Sequence, residues 1–463
     1  MQTKKHGLRR ELKLRDLVMI QVILIVSLTW PAYAAEQGAN QLLLWLLAIV
    51  LFYVPLAAVV MKLSREIPLE GGAYQWVKAG ITPFAGFMAG WSVTIAVVAL
   101  YAALGSTMAN SAAYVAGPHG AWMAASNPLA LGFTAVVCLL ACWINVRGLH
   151  LAKWFSGGGS ILLLATFAAM FYLLVRALLA GKAEAWQAFS FALPAASIVT
   201  LNVFTKMTLG ALSAFDQCSI FSEECQKPEN DVAKSVAIAG PLIAFLYVSG
   251  TAALLAYIAP GKIDMAAAIP QLLHAGFGSE GLGGVITAVS VAISILALLA
   301  AVVISVGMLA RLPMVAGWDG LLPSWWSELH PRFKTPSKAI AAVAFALFLL
   351  GFVSLWGAGN DEAAQVAAAV SVGGFSMVYL LLFGSVLFGF RRQQVRWGKG
   401  LKLGALGGFC VSFCALVFTL VPLGEVSSRF GFGLKVAAVL GSIYAVGAVL
   451  WWSAGKRSHT RAQ

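Results

Sequence analysis

Charged residues are scarce in this chain. Of its 463 residues, 11% are Asp, Glu, Lys or Arg and only 18 are acidic, whereas 60% are hydrophobic. The mean hydropathy is +0.86. A soluble domain carries about 25% charged residues, because its core has to be covered by a polar surface. The composition therefore excludes a soluble protein and predicts an all-α polytopic membrane protein.

Histidine and cysteine are also scarce, at six residues each. Cys138/Cys142 and Cys410/Cys414 have the i, i+4 spacing of a helix, but no histidine accompanies them inside an apolar segment, and free cysteine behaves as a small buried hydrophobe. The apolar segments contain no His/Asp/Glu cluster and no nucleophile–base pair. The sequence therefore predicts no metal, no cofactor and no enzyme activity.

Long apolar runs dominate the rest of the chain. About twelve segments reach the roughly 20 residues that a helix needs to cross a bilayer. Their approximate limits are 17–35, 41–62, 83–108, 128–146, 156–178, 193–224, 234–258, 283–309, 337–356, 364–390, 402–421 and 431–453. With the N-terminus inside, alternate loops place 25 of the 31 basic residues on the cytoplasmic side. This asymmetry predicts twelve transmembrane helices in the cytoplasmic (inner) membrane, with both termini cytoplasmic. The net charge of +13 reflects topology, so nucleic-acid binding is not expected.

Two of these segments are interrupted in the middle. Pro31 follows a polar stretch in the first, and a proline deep in a helix removes a backbone hydrogen bond. The sixth contains Gly210 and a small-residue patch. Interrupted spans at corresponding positions in two halves of a chain indicate a transporter's binding site. The substrate-binding residues predicted from this pattern are Ser27, Leu28, Thr29, Trp30, Gly210, Ala211, Leu212 and Ser213, with Thr94 of the third span added by its placement.

The sixth segment also contains two ionisable residues. An intramembrane carboxylate such as Asp216 costs roughly 2.5–3.5 kcal/mol on insertion scales, so it is a candidate for gating or proton coupling. The alternative is a structural carboxylate satisfied by a neighbouring group. Lys206 lies ten residues earlier, about 15 Å along a continuous helix, so the two cannot pair directly. Lys206 has two open interpretations. It takes part in gating or proton coupling, or it snorkels to the outer interface.

Two stretches are expected at the cytoplasmic interface. After the second span, Tyr74, Trp76 and Val77 follow a pair of glycines and predict a short amphipathic segment that lies along the membrane surface. Glu223 and Glu224 follow the sixth span and are expected in the same interface. A gating or structural role is expected for these two carboxylates in preference to ligand binding.

Three stretches carry a family resemblance. IPLEGGAYQWV followed by FAGFMAGW comes after the second span. In FDQCSIFSEECQKPEND, Pro228 follows Asp216 by twelve residues, with Glu223 and Glu224 between them. WDGLLPSWWSELHPRFKTPSKAI, residues 318–340, connects the eighth and ninth spans. In this order they resemble the signatures of amino acid–polyamine–organocation (APC) family permeases.

The resemblance implies a fold of two inverted repeats of five helices with discontinuous first and sixth helices, followed by two extra helices. The corresponding units are a cytoplasmic tail 1–16, a first repeat 17–180, a second repeat 193–390, spans eleven and twelve within 391–453, and a tail 454–463. Many members have a Gly-Ser-Gly-like break where this chain has Leu24, Ile25 and Val26. Several place a bulky gating aromatic where this chain has Gly210.

The function implied is secondary active transport of amino acids across the cytoplasmic membrane by alternating access. The expected partners are a small-molecule substrate, an amino acid or amine, with a proton or an exchange substrate, and the lipid bilayer. A polyamine or organic-cation transporter of the same fold is the first alternative, since Asp216 suits a cation. A non-transporting nutrient sensor on the same scaffold is the second.

Overall fold

The architecture was taken from a computed structural model of the whole chain. It describes all residues except 1–11, 68–70, 192–193, 195–196, 266, 316–321, 323, 356–359, 391–396, 425, 427 and 461–463. Part of two of the family-like stretches, residues 68–70 and most of 318–323, therefore lies outside the described residues.

The described chain is almost entirely helical. Its first part contains α1 (Leu14–Ile25), α2 (Trp30–Ala35), α3 (Gln41–Ala48), α4 (Val54–Glu66), α5 (Ala73–Gly80), α6 (Pro83–Leu100), α7 (Leu104–Ala116), α8 (Ala121–Ala124), α9 (Asn127–Arg147), α10 (Leu149–Leu179) and α11 (Ala183–Gln187). Its second part contains α12 (Ile198–Ala211), α13 (Pro228–Leu255), α14 (Ala268–Phe277), α15 (Gly281–Val315), α16 (Ser337–Leu355), α17 (Asn360–Phe388), α18 (Lys399–Phe418) and α19 (Arg429–Thr460). A π-helical turn, Ile49–Tyr53, joins α3 to α4, and a 3₁₀ helix, Gln217–Glu224, precedes α13.

Nine helical stretches in the described residues are long and apolar enough to cross a membrane. Two shorter apolar helices, Ile198–Ala211 and Ser337–Val353, coincide with the sixth and ninth predicted spans. The first predicted span is divided between α1 and α2. The chain is thus an all-helical polytopic membrane protein.

Local sequence sets several helix ends. Thr82 precedes Pro83, and its side chain accepts a hydrogen bond from the Ala85 amide. Ser126 and Ser197 cap α9 and α12 in the same way. Each hydroxyl satisfies one of the backbone amides that a helix start leaves without an intrahelical partner. Proline at the first helical position adds a preset backbone angle and loses no needed donor.

Small residues decide how closely the long helices approach. A Cβ on Gly159 of α10 would lie 2.1 Å from the Cβ of Ala300 on α15, so these two helices touch there through their backbones. Gly157 and Gly158 have no neighbour within 4 Å at that position. The Gly-Gly-Gly run therefore contributes one close helix contact, which is the usual role of small residues between transmembrane helices.

The glycine pair after the second span makes a tight turn against the sixth. Gly72 has a φ of +53°, and a Cβ there would lie 2.4 Å from Ser219 Oγ and 2.8 Å from the Asp216 carbonyl oxygen. A residue with a side chain would fit neither the backbone angle nor the space. The following residues Tyr74, Trp76 and Val77 are buried. The interfacial amphipathic segment predicted for them is wrong, because α5 packs into the protein.

Candidate functional site

The first broken helix is held open by a tyrosine from α13. Helix α1 ends at Ile25, and residues 26–29 are not helical before α2 begins at Trp30. The Tyr247 hydroxyl accepts a hydrogen bond from the Ser27 amide at 3.0 Å and donates to the Ile25 carbonyl at 2.7 Å. Tyr247 is fully buried. One phenol thus satisfies a donor and an acceptor that the end of the helix exposes.

The sixth broken helix has a similar arrangement on α17. Helix α12 ends at Ala211, and Ala214 has a φ of +70°. A left-handed backbone costs a residue with a Cβ roughly 1–2 kcal/mol. The Tyr379 hydroxyl accepts from the Ala214 amide at 2.5 Å and donates to Asp216 Oδ1 at 2.8 Å. These two hydrogen bonds hold the unusual conformation in place.

A cavity of about 140 Å³ lies between the two breaks. Residues 23–30 of the first helix form much of its wall, and Gly210, Ser213 and Ala214 contribute from the sixth. None of the described residues lining it is charged. The amide N–H groups of Leu28 and Ser213 have no hydrogen-bond partner among the described residues. The cavity therefore offers an apolar wall with neutral backbone donors at its edge.

Most of the predicted substrate-binding residues meet at this cavity. Those that line it are Ser27, Leu28, Thr29, Trp30, Gly210 and Ser213. Ala211 and Leu212 are adjacent in the chain but are not among the lining residues. Thr94 is also outside the lining, and its hydroxyl donates to the Gly90 carbonyl one turn earlier in α6. A substrate role for these last three stays a prediction.

Sequence reasoning missed the walls that come from other helices. They are Leu100, Tyr101, Ala103, Leu104 and Thr107 from the third span, Leu163 from α10, Ala297, Leu298 and Ala301 from α15, and Phe375 from α17. The third span bends at residues 101–103, between α6 and α7. Tyr101 and Thr107 are polar residues of the third span, as Thr94 is, so residue type alone does not distinguish the residues that line the cavity.

Trp30 and Gly210 bring the two broken helices into direct contact. A Cβ on Gly210 would lie 1.8 Å from Cζ2 of the Trp30 indole. Trp30 is 5% exposed and lines both the central cavity and a smaller cavity beyond it. Gly210 stands where the family resemblance implies a bulky aromatic, and an indole from the first helix occupies the space over it.

The two predicted ionisable residues lie apart and outside the central lining. Asp216 is 2% exposed and accepts from Tyr379, as described above. Lys206 is 3% exposed, and its ammonium donates to the Val421 carbonyl in the loop between α18 and α19. They form no pair with each other. Both interpretations of Lys206, gating or proton coupling and snorkelling toward the outer interface, stay predictions.

The N-terminal segment contacts the stretch of chain between the sixth broken helix and α13. Leu12 and Cys225 form a parallel bridge, with the Leu12 amide donating to the Glu224 carbonyl at 2.9 Å. The Glu224 carboxylate pairs with Arg311 of α15 at 3.3 Å, and both side chains are buried. This buried ion pair is consistent with the gating or structural role expected for Glu224, and its position at the cytoplasmic interface stays a prediction.

Comparisons with known proteins agree with this architecture. A family model described as amino acid permease matches residues 14–452, so the chain belongs to the amino acid permease family of the APC superfamily. A solved structure, MhsT in complex with L-phenylalanine, superposes with a TM-score of 0.64 at 15% identity and covers 89% of this chain and 99% of that one. At this identity the similarity shows the fold alone.

The curated relatives are transporters with different substrates in their names. An uncharacterized transporter of Legionella pneumophila is 21% identical over 90% of this chain and 91% of its own length. The methylthioribose transporter of Bacillus subtilis is 23% identical, covering 76% and 77%. The low-affinity putrescine importer PlaP of Escherichia coli is 24% identical, covering 63% of each chain. The chain is thus an APC-family secondary transporter and not an enzyme.

Proposed function

We propose that this transporter carries small neutral amino acids by alternating access around the central cavity. The observation that carries the proposal is the lining itself, which is mostly apolar, contains no charged side chain among the described residues and includes Leu28 and Ser213, whose amides have no hydrogen-bond partner among the described residues. Backbone N–H groups are suitable donors for a substrate carboxylate. A cavity of about 150 Å³ is large enough to bind benzene. The central cavity, at about 140 Å³, therefore suits a molecule of that size.

The same observation counts against a polyamine. A dication such as putrescine needs acidic partners, because burying an unpaired ammonium costs several kcal/mol. The nearest predicted candidate, Asp216, is not among the lining residues, and its Oδ1 accepts the Tyr379 hydroxyl. The name of the Escherichia coli relative keeps putrescine transport as the second candidate function.

The substrate proposal can be tested in proteoliposomes. We expect saturable uptake of radiolabelled L-alanine or L-leucine, with putrescine failing to compete, and empty liposomes serve as the control. Saturable putrescine uptake that these amino acids do not inhibit would support the second candidate instead. A ligand that raises the melting temperature of the purified protein without any flux would identify a sensor, since binding to the folded state alone raises apparent stability.

We further propose twelve spans arranged as five plus five plus two. Nine long apolar helices, the two shorter ones and the divided first span support this count in the described residues. Together with the basic residues, which are concentrated in alternate loops, it supports cytoplasmic termini. A proton or an exchange substrate would drive accumulation.

The topology has a direct experimental readout. We expect a C-terminal alkaline phosphatase fusion to be inactive and a C-terminal green fluorescent protein fusion to be fluorescent, because only the cytoplasmic side gives this combination. The same two fusions placed after residue 180, in the loop following the fifth predicted span, are the matched control. There the phosphatase should be active and the green fluorescent protein should not fluoresce. An active phosphatase at the C-terminus would overturn the span count.

A further inference from the structure

A second, smaller cavity lies beyond Trp30. It has a volume of about 10 Å³ and is lined by Trp30, Tyr33, Lys206, Gln365 and Phe432 together with apolar residues of α17 and the loop between α18 and α19. A volume of this size holds about one water molecule. Trp30 also lines the central cavity, so a single indole separates the two spaces. We call the smaller space the outer cavity.

Lys206 is the only charged side chain among the described residues that line the outer cavity. It is 3% exposed, and its ammonium donates to the Val421 carbonyl. No carboxylate among the described residues lies within ion-pair distance of it. An ammonium has three donors, so two remain after this contact. A buried charge without a counter-charge is strongly unfavourable, so the ammonium form of Lys206 persists here only with a counter-ion and otherwise loses its proton.

The surrounding polar groups do not provide the missing negative charge. Asn202, one turn earlier on α12, donates to the Pro422 carbonyl at 3.2 Å. The Gln365 side-chain oxygen accepts from the Gly424 amide at 3.0 Å. These contacts tie the loop to α12 and α17, and Gln365 also lines the outer cavity. All of these partners are neutral, so only an ion from solution or from the substrate can compensate a charged Lys206.

We propose that the outer cavity is a binding site for a small monovalent anion, with the Lys206 ammonium as its charge partner and Trp30 as the wall toward the central cavity. The anion is either a chloride ion or the carboxylate of an incoming substrate. The cavity's size admits one ion or one end of a carboxylate and not a whole substrate. The carboxylate source rests on the proposed amino-acid transport, whereas the anion site itself does not.

Thermal unfolding of the purified transporter tests the site without requiring a known substrate. The baseline buffer contains sodium 2-morpholinoethanesulfonate, whose anion is too large for the outer cavity, and sodium chloride or sodium acetate is then titrated at constant ionic strength. We expect a saturable rise in melting temperature for the wild type. Lys206→Met keeps an unbranched side chain but removes the charge, so it should lose the rise.

The control variant is Lys435→Met. Lys435 is an exposed lysine of α19 that pairs with Glu362 and does not line the outer cavity. It should retain the wild-type anion response. Lys206→Gln also removes the charge and should lose the response, which keeps the test decisive if Lys206→Met does not fold, whereas Lys206→Arg keeps the cation and should retain the response. The same salt response in wild type and Lys206→Met, or no saturable response in the wild type, would overturn the proposal.

The two sources of the anion differ in their response. Three results together identify the substrate carboxylate. The melting temperature rises with acetate, the KM for L-leucine is at least tenfold higher in Lys206→Met, and L-leucinamide competes more weakly than L-leucine in the wild type. A rise with chloride alone, together with uptake that depends on external chloride, identifies chloride. If no amino acid is transported, the proposed substrate class fails, but a saturable chloride or acetate response still supports the anion site.

Discussion

In both broken helices a tyrosine hydroxyl from another helix bridges two groups at the break, but only the sixth helix contributes a charged group. In the first, the Tyr247 hydroxyl joins two neutral backbone groups, the Ser27 amide and the Ile25 carbonyl. In the sixth, the Tyr379 hydroxyl joins the Ala214 amide to the Asp216 carboxylate. Each tyrosine comes from another helix and is fully buried. The difference lies in one formal charge.

The Asp216 carboxylate is not among the residues that line the central cavity. The first break lies on the central cavity with nothing charged among the described residues that line it, whereas Asp216 faces Tyr379, and its backbone carbonyl meets the Gly71–Gly72 turn. A carboxylate in this position is suited to controlling the conformation of the sixth helix, and it is poorly placed to contact the substrate in this conformation. The comparison therefore favours recognition by the backbone of both breaks, since Gly210 and Ser213 also line the central cavity, and gating or coupling by Asp216.

The largest effect is expected from Gly210→Leu, because the added side chain would push the two broken helices apart. The new side chain would collide with Trp30, since even its Cβ would lie 1.8 Å from the indole. We expect uptake in proteoliposomes to be abolished while expression and membrane insertion persist. Gly158→Leu is the matched control, because nothing lies within 4 Å of that position. Wild-type uptake kinetics in Gly210→Leu would remove Gly210 from the site.

The next effect concerns the charge itself. Asp216→Asn preserves shape and still accepts from Tyr379, so we expect folding to persist and concentrative uptake, or its dependence on pH between about 5 and 8, to be lost. Asp264→Asn is the control, because Asp264 also accepts a tyrosine hydroxyl, from Tyr114 at 2.8 Å, but lies outside both breaks. Wild-type accumulation and an unchanged pH profile in the Asp216→Asn variant would leave Asp216 with a structural role only.

Tyr379→Phe should produce the larger stability change of the two tyrosine substitutions. It leaves the buried Asp216 carboxylate without the Tyr379 donor and the Ala214 amide without an acceptor. Loss of a hydrogen bond to a charged group costs about 3 kcal/mol at the upper end. The measurement is the shift in thermal or denaturant unfolding of the purified protein. Tyr114→Phe removes a tyrosine–aspartate bond in a part-buried site and should cost less.

Tyr247→Phe should have the smallest effect. It removes hydrogen bonds to neutral groups only, which corresponds to about 1–2 kcal/mol. The same unfolding measurement applies, and a rise in KM without loss of maximal uptake would place the first break in recognition. A destabilisation equal to that of Tyr379→Phe would show that the charge of Asp216 does not distinguish the two breaks.

Much of the architecture could be predicted from local sequence. Apolar runs and basic loops predicted the helical segments, and the structure places helices near most of the predicted limits. The sixth span is the exception, because α12 ends at Ala211 and not near residue 224. Pro31 and the small residues after Gly210 predicted the two interruptions, because proline and glycine act on the backbone where they occur. Asp216 was recognisable as buried because a carboxylate in a long apolar run has no local alternative.

The partners of these groups were decided only by the tertiary structure. Tyr247 lies 220 residues from Ser27, and Tyr379 lies 163 residues from Asp216. The Trp30–Gly210 contact, the burial of Glu224 against Arg311 and the isolation of Lys206 depend equally on which helices become neighbours. Local sequence determines where a helix forms and breaks because backbone hydrogen bonds are local. The side chain that satisfies a broken end comes from a distant helix, so only packing determines it.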